Sequence, residues 1–241
     1  MIIDVHNHIG ISPHSKHPAE ELIREMDAAG VDISVACTIW LRGKVDNDYV
    51  YNEAKKYPRR IVPFAFVNPC HLSDAVTELK RCVEKLGMRG LKLHPFLNGY
   101  ALDDHVIVDQ IFEACSRLKI PILAHGAGDN PHTMPHQFEE VAKTFPEVTL
   151  IMAHMGTPWA VNDAVMIAKR NDNILIDTSG VGINDLRMAV GKAGAEKFLM
   201  ASDTPYGDFQ ISLKIIEKAV PDVEERKLIT GGNCQRILGI K

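Results

Sequence analysis

The sequence predicts an α/β protein, a single (β/α)8 TIM barrel, and three observations carry that expectation. Short β-branched or apolar runs alternate with amphipathic stretches from one end of the chain to the other, the pattern of a parallel sheet built from βα units. Eight such runs are present, the count that closes a barrel. No linker, internal repeat or low-complexity tract divides residues 1–241, and barrels of this length fold around one core, so one domain over the whole chain is expected. A doubly wound open sheet is the competing arrangement.

The candidate strands are Ile2–His8, Ile33–Ile39, Ile61–Asn68, Gly90–Phe96, Pro121–Gly126, Thr149–Met155, Ile174–Ser179 and Phe198–Thr204. Each is close to continuously hydrophobic, as expected where helices cover the outer face. Helical periodicity marks Glu20–Ala29, Ser73–Leu86, His105–Leu118, Pro135–Phe145, Trp159–Lys169, Leu186–Ala193, Phe209–Val220 and Val223–Ile229. In the second unit, Asp46–Tyr57 reads as a helix or as a loop followed by one. Gly30, Gly87 and Gly194 stand just past helical patterns, where a left-handed residue ends a helix, and Ser73 and Asp222 stand where an N-cap is wanted. Gly231-Gly232-Asn233 reads as a turn and cap before the last helix.

Composition narrows the function classes. With 46% hydrophobic and 24% charged residues the chain is an ordinary globular protein. Its 27 Lys and Arg against 31 Asp and Glu give a formal charge of −4, which offers no general attraction to nucleic acid or an anionic membrane. No apolar run approaches membrane-spanning length and no leader pattern precedes the first strand, so a cytoplasmic location is the expectation. Five scattered cysteines without a C-x-x-C pair indicate neither a disulfide framework nor a zinc knuckle. The sequence contains no P-loop, G-x-G-x-x-G or G-x-S-x-G element.

The chemistry gathers at strand ends. In Asp4-Val-His6-Asn-His8 the two-residue period of a strand sends Asp4, His6 and His8 to one face and Ile3, Val5 and Asn7 to the other, with the apolar pair expected on the helix side. Both imidazoles would then enter the barrel at its C-terminal mouth, where barrel enzymes hold their active sites. The fifth strand ends in His125, the sixth in His154 and the eighth in Asp203. A lone buried histidine is ordinarily a satisfied core residue, but four histidines and an aspartate at strand ends of one barrel must converge. Neutral imidazoles with one carboxylate suit zinc or a similar divalent cation.

These residues resemble the amidohydrolase superfamily, whose pattern is H-x-H on strand 1, His on strands 5 and 6, and Asp on strand 8. The resemblance runs the length of the chain through Asp4-Val-His6-Asn-His8, Gly90-Leu-Lys-Leu-His94-Pro95, Ala124-His125, Ala153-His154-Met155-Gly156, Ser202-Asp203-Thr-Pro205 and Gly231-Gly232-Asn233-Cys-Gln-Arg236-Ile-Leu-Gly239. It looks most like the amidohydrolase 2 branch, which contains aminocarboxymuconate-semialdehyde decarboxylase. That likeness implies one divalent ion, most often zinc, with manganese or iron as alternatives, held by His6, His8, His125 and Asp203, with His154 near a bound water. It also implies a dimer.

A bound cation lowers the pKa of water to about 7 and polarises carbonyls, so hydrolysis of a small ester, lactone or amide is the first functional expectation. Asp203 would be both ligand and general base, and His154 would steady the developing oxyanion or share the proton. Lys92 and His94 share a face of strand 4, and His94, the outermost, is expected to contact substrate. A carboxylated Lys92 bridging two ions is the alternative, disfavoured if Lys92 stops below the mouth. Lys92 and Trp159 are further substrate-binding candidates, and Asn68, Asp177 and Tyr206 possible mouth residues. His14, His17, His71, His105, His132 and His136 are assigned no role. Non-oxidative decarboxylation of a small carboxylic acid would use the same ligands. A TatD-like nuclease would carry a glutamate ligand near the middle of the barrel, and no strand ends in Glu; a closed structural zinc site would favour thiolates.

Overall fold

The computed structural model describes residues 1–11, 16–39 and 45–240, which leaves His14 outside the described residues. The barrel strands are β1 (Ile3–Ile11), β2 (Ile33–Thr38), β3 (Ile61–Pro63 and Ala65–Phe66), β4 (Leu91–Leu93), β5 (Ile122–Ala124), β6 (Leu150–Met152), β7 (Ile174–Asp177) and β8 (Phe198–Leu199). Neighbours pair in parallel from β1 to β3 and from β3 to β8. Two seams complete the ring. At Phe64 the third strand changes partner, its N–H donating to Ala36 O while the next residue, Ala65, donates to Gly90 O, both at 2.9 Å. Past β8 the chain runs on beside β1, with Val5 N–H on Met200 O at 2.9 Å and His8 N–H on Thr204 O at 2.8 Å. These bonds close the sheet, and the open-sheet alternative falls.

Two apolar clusters follow from strand alternation. Leu91, Leu93, Ile122, Ala124, Leu150, Met152, Ile174, Ile176 and Phe198 pack outward with the helices. Ile3, Val5, Val35, Cys37, Phe64, Leu123, Ile151, Leu175 and Leu199 form the second cluster inside the ring, joined by Cys234 and Leu238 of the terminal helix Asn233–Leu238. Ile3 and Val5 therefore face inward, the reverse of the sequence expectation. The reason is an irregularity in β1: the register with β2 slips between Asp4 and Asn7. Such a bulge adds a residue and inverts the side-chain phase, so His6 and His8 turn into the lumen after Val5 has already done so. Asp4 Oδ1 secures it, accepting from His6 N at 2.9 Å and from Asn7 Nδ2 at 2.8 Å.

Helices fill the outside where expected, among them Ala19–Ala29, His105–Leu118, Pro135–Thr144, Ile183–Ala193 and Phe209–Ala219. The ambiguous second unit is a helix over Asn47–Ala54, capped by Asp46 on Tyr49 N. Asp222 caps its helix through Glu224 N and Glu225 N, as expected. Ser73 does not cap: Leu72, at φ 48°, holds the N-cap position. Nor is Gly231-Gly232-Asn233 a turn, because Leu228–Gly232 leads helically into the last helix and buried Asn233 donates to Ala195 O and Phe198 O, each at 2.8 Å. Glycine is needed at 231 because a Cβ there would stand 2.2 Å from Met1 O.

Candidate metal centre

The bulge in β1 delivers two imidazoles to the mouth, and backbone and carboxylate acceptors fix how each presents its nitrogens. His6 Nδ1 donates to Asp177 Oδ2 at 2.8 Å, and His8 Nδ1 donates to Thr38 O at 3.0 Å. Both rings thus turn the Nε2 lone pair toward the lumen, the usual way a histidine ligand is aimed. The two Nε2 atoms lie 3.2 Å apart, and Asp203 Oδ1 lies 3.3 Å from the first and 3.2 Å from the second. Asp203 reaches them from a left-handed backbone, φ 60°, whose N–H is tied to His6 O at 2.9 Å. Non-glycine residues in that conformation cost free energy and cluster at functional sites.

Three acceptor atoms in mutual contact repel one another unless a proton or a cation lies among them, and a divalent metal would satisfy all three at once. Asp203 Oδ1 is buried without a hydrogen-bond partner. Ligand atoms about 2.0–2.1 Å from a tetrahedral ion stand about 3.3–3.4 Å from one another, close to the spacing here. The residues present therefore fit a divalent metal. Burial and the nearby Lys92 charge lower the His6 pKa to about 4, burial and the same charge lower His94 to about 2, and burial drives His125 and His154 downward as well. His8 goes the other way: burial lowers it, but Cys37 and the Asp203 carboxylate outweigh burial and raise it to about 10, so it would give up that proton to a metal, for which neutral imidazole is the ligating form. Burial pushes the Asp203 carboxyl up, but the surrounding histidines outweigh it and hold it well below the usual range.

The other expected residues divide. His6, His8, His94, Lys92, His125, His154 and Asp203 line one cavity of about 270 Å³ with Leu97 and Tyr206. His125 faces this cavity, stacked on His94 at 4.0 Å and edge-on to His154 at 4.7 Å, but among the described residues the two tight ligand groups, His6 with His8 and Asp203 and His6 with His154 and Asp177, both leave it out. Lys92 is buried and its Nζ sits 2.6 Å from His6 Nε2, so it reaches the ligand atoms at the mouth, the reach that the two-ion alternative requires. Trp159 is misplaced in the sequence reading: the helix begins at Val161, and Trp159 is 83% exposed and outside the cavity lining. Asn68 also lies elsewhere, capping a short turn through Cys70 N at 3.1 Å. His17 serves the scaffold, with Nδ1 on His8 O at 2.8 Å and Nε2 on Glu25 at 3.0 Å.

Asp177 is fully buried and central. Besides His6 it accepts from His154 N at 2.9 Å, Ser179 N at 3.0 Å and Ser179 Oγ at 2.6 Å. Burial pushes its carboxyl up, yet the His6 hydrogen bond and the neighbouring donors bring it down to about 2. Ser179 and Thr38 were not anticipated. Ser179 carried a signal, being two residues past Asp177 at the end of one strand; Thr38 acts through its backbone, which no side-chain pattern reports.

The sequence profile of the amidohydrolase family (amidohydrolase 2) matches residues 3–240. The chain belongs to this family. This amidohydrolase is 22% identical to a gamma-resorcylate decarboxylase from a Polaromonas species over 92% of its own length and 84% of that protein's. In fold it superposes on an uncharacterised TIM-barrel protein from Bordetella bronchiseptica with a TM-score of 0.85, at 21% identity over 99% of this chain and 98% of that one. A dihydroxybenzoic acid decarboxylase from Polaromonas, solved with bound manganese and the inhibitor 2-nitroresorcinol, gives a TM-score of 0.78 at 18% identity over 99% and 97% of the two chains. Among the described residues of this amidohydrolase no helix is long and apolar enough to cross a membrane.

Proposed function

We propose that this chain is a metal-dependent decarboxylase that releases carbon dioxide from a small aromatic or enoic acid. The observation that carries the reading is the contact of His6 Nε2, His8 Nε2 and the unpartnered Asp203 Oδ1 at 3.2–3.3 Å. These residues, with His125 as a fourth, would hold one zinc or manganese ion. When bound, such an ion polarises a substrate oxygen and draws electron density from the carbon that loses its carboxyl group. That carbon must then receive a proton, and Asp203 and His154 are the titratable groups of the cavity assigned to carry it. Neutral His94 would hydrogen-bond substrate oxygens, and Lys92 Nζ, already 2.6 Å from His6 Nε2, would face the substrate's negative charge. The cavity of about 270 Å³ suits one small ring or its open-chain equivalent.

Hydrolysis of a small ester, lactone or amide, with Asp203 as general base, uses the same residues and is the second reading, supported by the name and breadth of the family. The decarboxylase relatives move it behind the first. A screen of hydroxybenzoic and enoic acids, lactones and esters, each run before and after chelation, separates the two. Chelator-sensitive carbon dioxide release supports decarboxylation. Lactone or ester cleavage with no carbon dioxide from any acid overturns it. A homodimer in the cytoplasm completes the proposal, checked by sedimentation and fractionation.

A further inference from the structure

The side chain of Ser179 sits between two groups of the centre. Its Oγ is 2.6 Å from Asp177 Oδ1 and 2.9 Å from His154 Nδ1. A hydroxyl has one proton, and which neighbour receives it decides the state of the other. Asp177 already accepts from three N–H groups, those of His6 Nδ1, His154 N and Ser179 N, which is the environment of an ionised carboxylate that can only accept. The shorter of the two contacts is also the one to this carboxylate, as expected of a charge-assisted bond. Ser179 therefore donates to Asp177, and its lone pair faces His154. To bond there, His154 must carry its proton on Nδ1, leaving Nε2, at the opposite edge of a ring that lines the cavity, bare.

The backbone enforces the same placement. His154 occupies a left-handed conformation, φ 62° and ψ 9°, with its N–H bound to the same Asp177 oxygen that receives the Ser179 hydroxyl. Ring and main chain of His154 are thus tied to one carboxylate, directly through N–H and indirectly through Ser179.

We infer that Ser179 is a positioning residue that sets the tautomer of His154, holding the proton on Nδ1 so that Nε2 meets the substrate as an acceptor. The consequence for turnover rests on the reading that His154 carries a proton in the proposed reaction; the tautomer itself does not. In the resting enzyme His154 then enters the cycle by taking a proton, and it returns that proton from Nε2 while Nδ1 stays bound to Ser179. Loss of the hydroxyl frees the ring to put its proton on Nε2, turning an acceptor into a donor.

Two-bond proton–nitrogen NMR on the full chain labelled with 15N-histidine, metal-free, reads this directly, with His154 assigned by the signals missing from His154→Gln. Wild type should show protonated Nδ1 and bare Nε2 for His154. In Ser179→Ala more than half of His154 should carry the proton on Nε2, and Ser179→Thr, which keeps the hydroxyl, should restore the wild-type pattern. An Nε2-protonated His154 in wild type, or an unchanged tautomer in a folded Ser179→Ala, overturns the inference. On any substrate found active, Ser179→Ala should lower kcat about tenfold to a hundredfold with KM within about twofold, while Ser179→Thr stays near wild type. Equal kcat for wild type and Ser179→Ala overturns the role in turnover. If no substrate is turned over while the tautomers behave as stated, the functional reading fails and the positioning role stands.

Discussion

His6 Nδ1 donates to Asp177 Oδ2 at 2.8 Å with both side chains buried, and this bond aims the opposite nitrogen of His6 at Asp203. Outer partners of this kind typically contribute about 10-fold to 100-fold in metal affinity. Asp177→Asn should therefore weaken zinc and manganese binding by that factor while the ligands remain in place. Competition against a chromogenic chelator measures it; an unchanged dissociation constant would show that His6 needs no such guide.

The tight group excludes His125, so the ligands should not be equivalent. His6→Ala and Asp203→Ala each remove one of three atoms in mutual contact and should abolish stoichiometric binding. His125→Ala should retain a weakened site. Calorimetric titration of the three variants compares them, and loss of affinity in His125→Ala as large as in His6→Ala would mean that four ligands share the ion equally.

Trp159 is 83% exposed and stands clear of the cavity. Surface substitutions of this kind usually change stability by less than about 0.5 kcal/mol. Trp159→Ala should leave metal affinity and kcat/KM unchanged. A tenfold fall in kcat/KM would restore the indole to the substrate site.

Gly90 lies under the ring of Phe64, where a Cβ would come within 2.3 Å of Cζ. Phe64 fills the lumen at the point where β3 changes partners, so Gly90→Ala should overpack the barrel and destabilise it by about 1–3 kcal/mol. Urea denaturation tests this, with a midpoint equal to wild type as the contrary result.

Glu78 links the second and third units, accepting from Arg81 Nε at 2.7 Å and from Asn47 Nδ2 at 2.9 Å, while Asn47 also holds the backbone of Phe66. The Arg81 guanidinium is the main cause of its carboxyl pKa being lowered to about 2. A depressed carboxyl pKa means the folded state binds fewer protons than the unfolded chain, so the stabilisation is complete above the unfolded value of about 4.3 and is lost as pH falls toward 2. Partial exposure screens the effect. Glu78→Gln should flatten the stability profile between those two pH values and leave the neutral-to-alkaline limb alone; an identical acid limb in both proteins would mean the pair adds nothing.

The eight strands were legible because βα alternation is written as apolar runs between amphipathic ones, and the strand-end residues His6, His8, His94, His125, His154 and Asp203 were legible because each polar residue interrupts or ends such a run. The direction of side chains in β1 was not. A strict two-residue period places Ile3 and Val5 outside; the bulge between Asp4 and Asn7 puts them inside with the two histidines. Nothing in the local sequence marks that extra residue, because it is fixed by the register with β2 and by Asp4 bonding across it. The start of the helix after the sixth strand was also misjudged, since periodicity reached back to Trp159 while the helix begins at Val161; position after a metal-end strand, which suggested Trp159 for the pocket, does not fix where a loop side chain points. Lys92 was placed on the correct face, but the reach of its long side chain to His6 depends on the barrel's radius, which the pattern of one strand does not contain.

Elemental analysis of the chain purified without added metal, set beside the His6→Ala, His8→Ala, Asp203→Ala triple variant, tests the central claim most directly. The account predicts close to one divalent ion per wild-type chain and essentially none in the folded triple variant. Equal metal content in both, or none in the wild type even after incubation with zinc or manganese, would contradict it.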